Sequence, residues 1–185
     1  TTGEGGMVLT NDKEFNDRAK SLRNLCFTTD RFIHEELGWN YRMTNMQAAL
    51  GVAQLEKIAP IVKKKRYIGN AYNELLKDIN VINLPISETD CCENIYWVYA
   101  ITLKDGYKKT VKEVMSELER YKIGARPFFY PMHKQPVFNN IGLFLDDNLS
   151  NSEKLYERGF YTPSGLALTD KEIKEVSNVL HRVLV

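Results

Sequence analysis

The sequence predicts an α/β fold, with helices dominating its first part and a smaller strand-and-helix unit behind them. Three observations carry this reading. Thr44/Gln47 and Thr169/Glu172 are capping-box pairs, each placed just before a run of helix formers. Apolar residues recur at helical spacing from Ile61 to Ile79. The stretch Ile95–Leu103 is instead β-branched and aromatic, with Ile95, Trp97, Tyr99, Ile101 and Leu103 alternating onto one face of a strand.

The elements follow in order. Gly3, Gly5 and Gly6 suggest a tight turn feeding a short buried strand at Met7–Thr10. Asn11 or Asp12 can cap a helix running to about Leu25, with Phe15, Ala19, Leu22 and Leu25 on its apolar face. Residues 26–39 lack periodicity and read as a loop. After Thr44, the residues Met46, Ala49, Leu50, Ala53, Leu55 and Ile58 form the buried surface of a second helix. Pro60 breaks or kinks it and can open a third. That third helix carries Ile61, the Lys65 stem, Ile68, Tyr72, Leu75, Leu76 and Ile79. The boundary is placed in the stretch 80–90, giving units 1–84 and 85–185. In the latter, Thr110 caps a helix through Val111, Val114, Met115 and Leu118 that ends near Gly124. Residues 125–131 read as extended, a short helix follows Ser150–Asn151, and Ile173, Val176, Leu180 and Leu184 mark the closing helix.

Composition narrows the function classes. The chain is 43% hydrophobic and 26% charged, the profile of a globular protein. The formal charge is +1, so nothing in the charge balance favours nucleic acid or an anionic membrane as partner. The basic run Lys63–Arg66 reads as a solvated helix face. No apolar run is long enough to span a bilayer. Cys26, Cys91 and Cys92 make neither a disulfide framework nor zinc-site spacing. A cytoplasmic setting is the expectation. The opening Thr1–Gly6, glycine-rich and without an initiating Met, reads as a cut point within a longer chain.

The chemistry concentrates in Asn40-Tyr41-Arg42, just ahead of the Thr44 cap. An amide with two donors and a planar guanidinium beside a helix N-terminus suit an anion. The plainer reading makes Asn40 a turn residue, Arg42 a surface charge and Tyr41 a packed aromatic. Glu4, between turn glycines, reads as backbone-shaping or solvent-facing.

Two motifs sharpen this. TTGEGGMVLTND at Thr1–Asp12 resembles the segment that follows the cofactor lysine in the DegT/DnrJ/EryC1/StrS family of sugar aminotransferases. HEELGWNYRMTNMQAALGVAQLEKI at His34–Ile58 is similar to that family's later signature, at the family's spacing. ARPFFYPMHKQPVF at Ala125–Phe138 and RGFYTPSGLALT at Arg158–Thr169 extend the likeness, which is greatest to the perosamine-synthase branch with its GDP-linked 4-keto-6-deoxymannose substrate. The resemblance implies the C-terminal part of a fold type I (aspartate aminotransferase-like) enzyme. This comprises the end of a large domain and a small α+β domain.

It further implies pyridoxal 5′-phosphate as cofactor, glutamate as amino donor, a nucleotide-linked keto sugar as acceptor, and a homodimer with shared active sites. The Schiff-base lysine would lie three positions before Thr1, so no residue of this chain is assigned as catalytic and the chain by itself is expected not to transaminate. Asn40 would donate to the phosphate of the partner subunit's cofactor, with Arg42 near the same anionic region. His34 matches a position where a sugar or phosphate contact competes with a plain loop histidine. Arg126 would face the diphosphate, with Tyr130 or His133 near the hexose. Without ligand roles, Phe128, Phe129 and Tyr130 would be core, Arg126 a strand-end charge and His133 a satisfied turn residue. For Phe128 and Phe129 the core reading is preferred.

Two other classes compete with the enzyme. One is a lysine-less binding or regulatory relative on the same fold, distinguished by the residue three positions before Thr1. The other is a plain dimerisation module resting on the small residues Ala48–Ala53. It expects Asn40→Ala to leave cofactor affinity unchanged.

Overall fold

The structure, a computed structural model, describes residues 1–30 and 32–185. It forms two compact units, 1–59 and 60–185.

In the first unit, α1 (Lys13–Arg23) begins where the Asp12 carboxylate accepts the Phe15 N–H. It ends earlier than the apolar pattern suggests. Leu25 and Cys26 take left-handed backbone at φ 65° and 49°, so Leu25 turns the chain rather than extending the helix. The next helix, α2 (Asn45–Glu56), starts on the expected box: Thr44 Oγ1 accepts from the Gln47 N–H while Gln47 Oε1 accepts from the Thr44 N–H.

Two expectations fail in this unit. Met7–Thr10 forms no strand, and Met7, Val8 and Leu9 are exposed. A strand exists through its hydrogen-bonded neighbour, and no described segment pairs with this one. The α2 face expected to be buried is also open: Met46 is 80% exposed, Leu50 and Leu55 are exposed too, and so is Ile58, which opens the next helix instead. Periodicity shows that a helix is apolar without showing what covers it.

The second unit holds the core. Lys57 caps α2, and α3 (Ile58–Leu76) begins at once with Pro60 in its first turn, where a missing N–H costs nothing. The helix buries Ile68, Tyr72 and Leu76, and Ile79 and Ile82 continue the same core. These residues explain why the compact units divide at Ala59/Pro60 rather than near residue 84.

The strands β1 (Ile82–Asn83), β2 (Glu88–Thr89), β3 (Cys92–Glu93) and β4 (Tyr99–Leu103) follow. After them come α4 (Val111–Arg120), β5 (Arg126–Pro127), a 3₁₀ turn at Met132–Lys134, α5 (Pro136–Asn139), α6 (Ser150–Arg158), β6 (Gly159–Thr162) and α7 (Asp170–Leu184). The main sheet runs β1-β4-β6-β5, antiparallel throughout, while β2 and β3 form a separate hairpin. Ile101 pairs with Phe160, so both point to one face, where Tyr99 and Leu103 join them against α3, α4 and α7.

β4 is shorter than expected. Trp97 and Ile95 are exposed, because Tyr96 takes φ 50° and breaks the alternation before Tyr99. Tyr96 turns inward instead, its hydroxyl accepting from Asn73 Nδ2 at 3.1 Å. Asn73 Oδ1 in turn accepts the Tyr99 hydroxyl at 2.7 Å, and Tyr72 donates to the Pro163 carbonyl at 2.9 Å. Burial pushes the Tyr72 and Tyr99 phenols far above their ordinary range. The basic run is likewise less solvated than expected. Lys65 donates to the Ser164 carbonyl at 2.6 Å and Arg66 pairs with Glu93 at 2.8 Å.

Candidate functional site

The first unit builds a groove in which charged side chains border an apolar lining. Its frame is the end of α1, whose last carbonyls would lack helical partners. The strap 38–41 supplies them: Trp39 N–H donates to the Leu22 carbonyl at 2.8 Å and Tyr41 N–H to that of Arg23 at 3.0 Å. The Leu25 N–H returns a bond to the Trp39 carbonyl. Gly38 permits this approach, because a Cβ there would lie 2.5 Å from the Cys26 nitrogen.

An extended strap sends alternate side chains to opposite sides. Trp39 and Tyr41 stack with ring centroids 6.1 Å apart, so Tyr41 is an exposed stacking partner rather than packed core. Asn40 and Arg42 meet one another: Arg42 Nε donates to Asn40 Oδ1 at 3.0 Å, and Nη1 donates to Asn24 Oδ1 at 2.9 Å. Both acceptors are neutral amides, so Arg42 is held in place without losing its charge to a carboxylate. Engaging Asn40 Oδ1 also orients the amide so that Nδ2, which has no partner among the described residues, is free to donate.

Asn40 and Arg42 line a groove of about 950 Å³ with Lys20, Arg23, Trp39 and Gln47. Its charged lining is Lys20, Arg23 and Arg42 against the single carboxylate of Glu4. Lys20 and Arg23 have no ion-pair partner among the described residues. Such a donor set fits a phosphate: free N–H groups, a fixed guanidinium and excess positive charge. Glu4 contributes through its backbone, its carbonyl accepting from Thr2 Oγ1 and Gln47 Nε2.

His34 does not line this groove. Its Nδ1 lies 2.7 Å from the Leu25 carbonyl, which can only accept, so Nδ1 carries the proton and Nε2 is the free nitrogen. The ring packs on Phe27 at 4.7 Å.

In the second unit, Tyr130 and His133 come together, whereas Arg126 stands apart on β5. Tyr130 and His133 line a largely apolar cavity of about 540 Å³ with Phe128, Phe129, Tyr156 and Tyr161. Tyr130 meets Tyr156 edge-to-face at 5.0 Å. His133, only 4% exposed, has Nε2 2.9 Å from Glu153 Oε1, and Lys134 reaches the same carboxylate at 3.3 Å. The His133 bond, then the Lys134 contacts, hold the Glu153 carboxyl below its ordinary range. The core expectation fails for Phe129, which is 74% exposed and stacks on Trp97 at 6.5 Å. Phe128 is half-buried against Gly159. Arg126 is exposed and has no ion-pair partner among the described residues.

Asn24 was missed in the sequence reading, as were Lys20 and Arg23. An Asn one residue beyond a helix reads as a cap, and its separation from Arg42 along the chain hides the pairing. Glu153 was missed for the same reason.

The fold and these motifs define a sugar-aminotransferase class. Residues 1–181 match the family model for DegT/DnrJ/EryC1/StrS aminotransferases, and the chain belongs to that family. It is 36% identical to GDP-perosamine synthase of Vibrio cholerae, over 97% of this chain and 48% of that protein. Among solved structures, Helicobacter pylori PseC, an aminotransferase of pseudaminic acid biosynthesis, superposes with a TM-score of 0.87 at 22% identity. That match covers 100% of this chain and 50% of PseC. The PLP-form of Spr1654 from Streptococcus pneumoniae matches at a TM-score of 0.76 and 19% identity, over 100% of this chain and 50% of that one. The chain thus spans about half the length of the relatives it matches, and its architecture is that of part of a fold type I aminotransferase. No helix among the described residues is long and apolar enough to cross a membrane.

Proposed function

We propose that the whole protein is a pyridoxal-phosphate aminotransferase that moves the amino group of glutamate to the C4 ketone of a nucleotide-linked 4-keto-6-deoxy sugar, with a GDP-linked hexose as acceptor. The observation that carries this is the Asn24–Arg42–Asn40 relay, which leaves the Asn40 amide N–H and an uncompensated guanidinium on a positively charged groove. It lies at the motif the family resemblance marks for the cofactor phosphate. The match to GDP-perosamine synthase supports the GDP sugar over its UDP and dTDP counterparts.

When bound, pyridoxal phosphate supplies the electron sink for moving the amino group. This chain's part is binding and orientation. Asn40 Nδ2 would donate to the phosphate of a partner subunit's cofactor, and Arg42 would hold the amide in register while adding positive charge. The open α2 face with Met46, Leu50 and Leu55 supports a homodimer in which each active site is shared. In the second unit, Tyr130 and the His133–Glu153 pair would border the hexose, with Arg126 toward the diphosphate. In the first unit, His34 would offer its free Nε2 to a sugar or phosphate group.

The test is to incubate the full-length protein with glutamate and a panel of GDP-, UDP- and dTDP-4-keto-6-deoxy sugars, following 2-oxoglutarate release. Amination of the GDP sugar is the expected result. Turnover confined to a UDP or dTDP sugar would overturn the acceptor assignment, and no turnover with any would overturn the activity.

A further inference from the structure

The β2–β3 hairpin at 88–93 has no role in the function above, yet it carries two of the chain's three cysteines next to each other. Cys91 and Cys92 are both exposed thiols, whereas Cys26 is buried with its sulfur directed at the Leu37 carbonyl. The hairpin brings both exposed sulfurs to one hydroxyl: Thr89 Oγ1 lies 3.5 Å from Cys91 Sγ and 3.1 Å from Cys92 Sγ. Successive side chains on a regular strand would point to opposite faces. Here Cys91 occupies the turn and Cys92 the first position of β3, so the turn cancels that alternation. Register is secured by Thr89 pairing with Cys92 and Glu88 with Glu93, and the Arg66–Glu93 ion pair tethers the base of the hairpin to α3.

We propose that Cys91 and Cys92 form a vicinal dithiol site that captures a trivalent, singly substituted arsenical through both sulfurs. Soft thiolates select soft, thiophilic centres, and two sulfurs on one side of a turn offer a chelate where one offers only an exchangeable bond. The second As–S bond forms within the molecule, so the pair holds the centre about 10²-fold or more tightly than one thiol. The Thr89 hydroxyl, and then the neighbouring Cys92 thiol, lower the pKa of Cys91, which raises its thiolate fraction and starts the reaction. With phenylarsonous acid (hydrated phenylarsine oxide), two As–S bonds form and two As–OH bonds break. The two thiol protons leave with those hydroxyls as two water molecules. Arsenic stays trivalent, so no oxidant or reductant is needed. This site is independent of the aminotransferase reading.

The experiment treats the folded full-length protein with phenylarsine oxide under native conditions, washes it with excess glutathione, and counts retained phenylarsenic groups by intact mass. The expected result is one more retained group per chain in the parent than in Cys91→Ser or Cys92→Ser. That group should be released by 2,3-dimercaptopropanol. Both substitutions sit on an exposed hairpin outside the core, so circular dichroism should match the parent. Equal retention in the parent and both variants would overturn the proposal. So would a group that glutathione removes from the parent as readily as from the variants.

Discussion

Replacing Asn40 by Ala is the most direct perturbation of the groove. The structure sets its magnitude. Asn40 Oδ1 already accepts from Arg42 at 3.0 Å, which leaves Nδ2 as the group available to a ligand. A hydrogen bond from an amide to a charged phosphate is worth about 1.5–3 kcal/mol, so its loss weakens cofactor binding by about 10- to 150-fold. Arg42→Lys keeps a positive charge but loses the fork that reaches Asn40 and Asn24 together. Its cost through positioning is smaller, about 1 kcal/mol or a fewfold in Kd. Because Arg42 acts partly by holding Asn40, the double variant should cost less than the two singles added together. Cofactor Kd in the full-length protein, read from absorbance titration, checks each value. The Asn40→Ala variant binding as tightly as the parent would refute the anion role, and strict additivity would refute the positioning role of Arg42.

Two further outcomes test the second unit. Gly69→Ala should destabilise it, because the new Cβ would lie 2.3–2.6 Å from Cγ, Cδ1 and Cδ2 of the buried Tyr96 ring. The helix-propensity gain of about 1 kcal/mol opposes an overpacking cost of about 1–3 kcal/mol. The clashing atoms include the ring root, and the ring's far end is tied to Asn73, so overpacking should win. A lower denaturation midpoint is expected, and an unchanged or higher one would contradict the packing. Glu153→Gln addresses pH. The Glu153 carboxyl lies below its ordinary value of 4.5 when folded, so its bonds to His133 and Lys134 add stability above that value and lose it as pH falls through the folded pKa. The variant should therefore be less stable at neutral pH and show a shallower loss of stability below pH 4.5 in an acid titration followed by fluorescence. An acid limb as steep as the parent's would contradict the His133–Glu153 pairing.

Local signals were readable where one segment contains both halves of an interaction. The Thr44, Thr110 and Thr169 caps form as read, because a capping box closes within four residues. The α3 and α7 faces were legible because a 3.6-residue period marks a buried stripe, and Ile68, Tyr72, Leu76, Ile173 and Leu180 lie on it. The same period misled for α2, and the short apolar run Met7–Leu9 misled as a buried strand; both are apolar but exposed. Trp97 failed for another reason: one left-handed residue, Tyr96, shifted the strand's start and its alternation.

By itself the sequence determined the α/β class and the family resemblance, and it marked Asn40 and Arg42 as candidates for an anion site, since residue type and spacing express those features. Tertiary structure alone decided what surrounds them. It brought Asn24 to Arg42, Glu153 to His133 and Thr89 to two neighbouring sulfurs. It also separated Arg126 from the cavity that Tyr130 and His133 share. The physical reason is that a capping bond is local to the chain, whereas a guanidinium's partner is chosen by how helix ends, straps and turns pack. That choice depends on distances in space, which residue spacing does not encode.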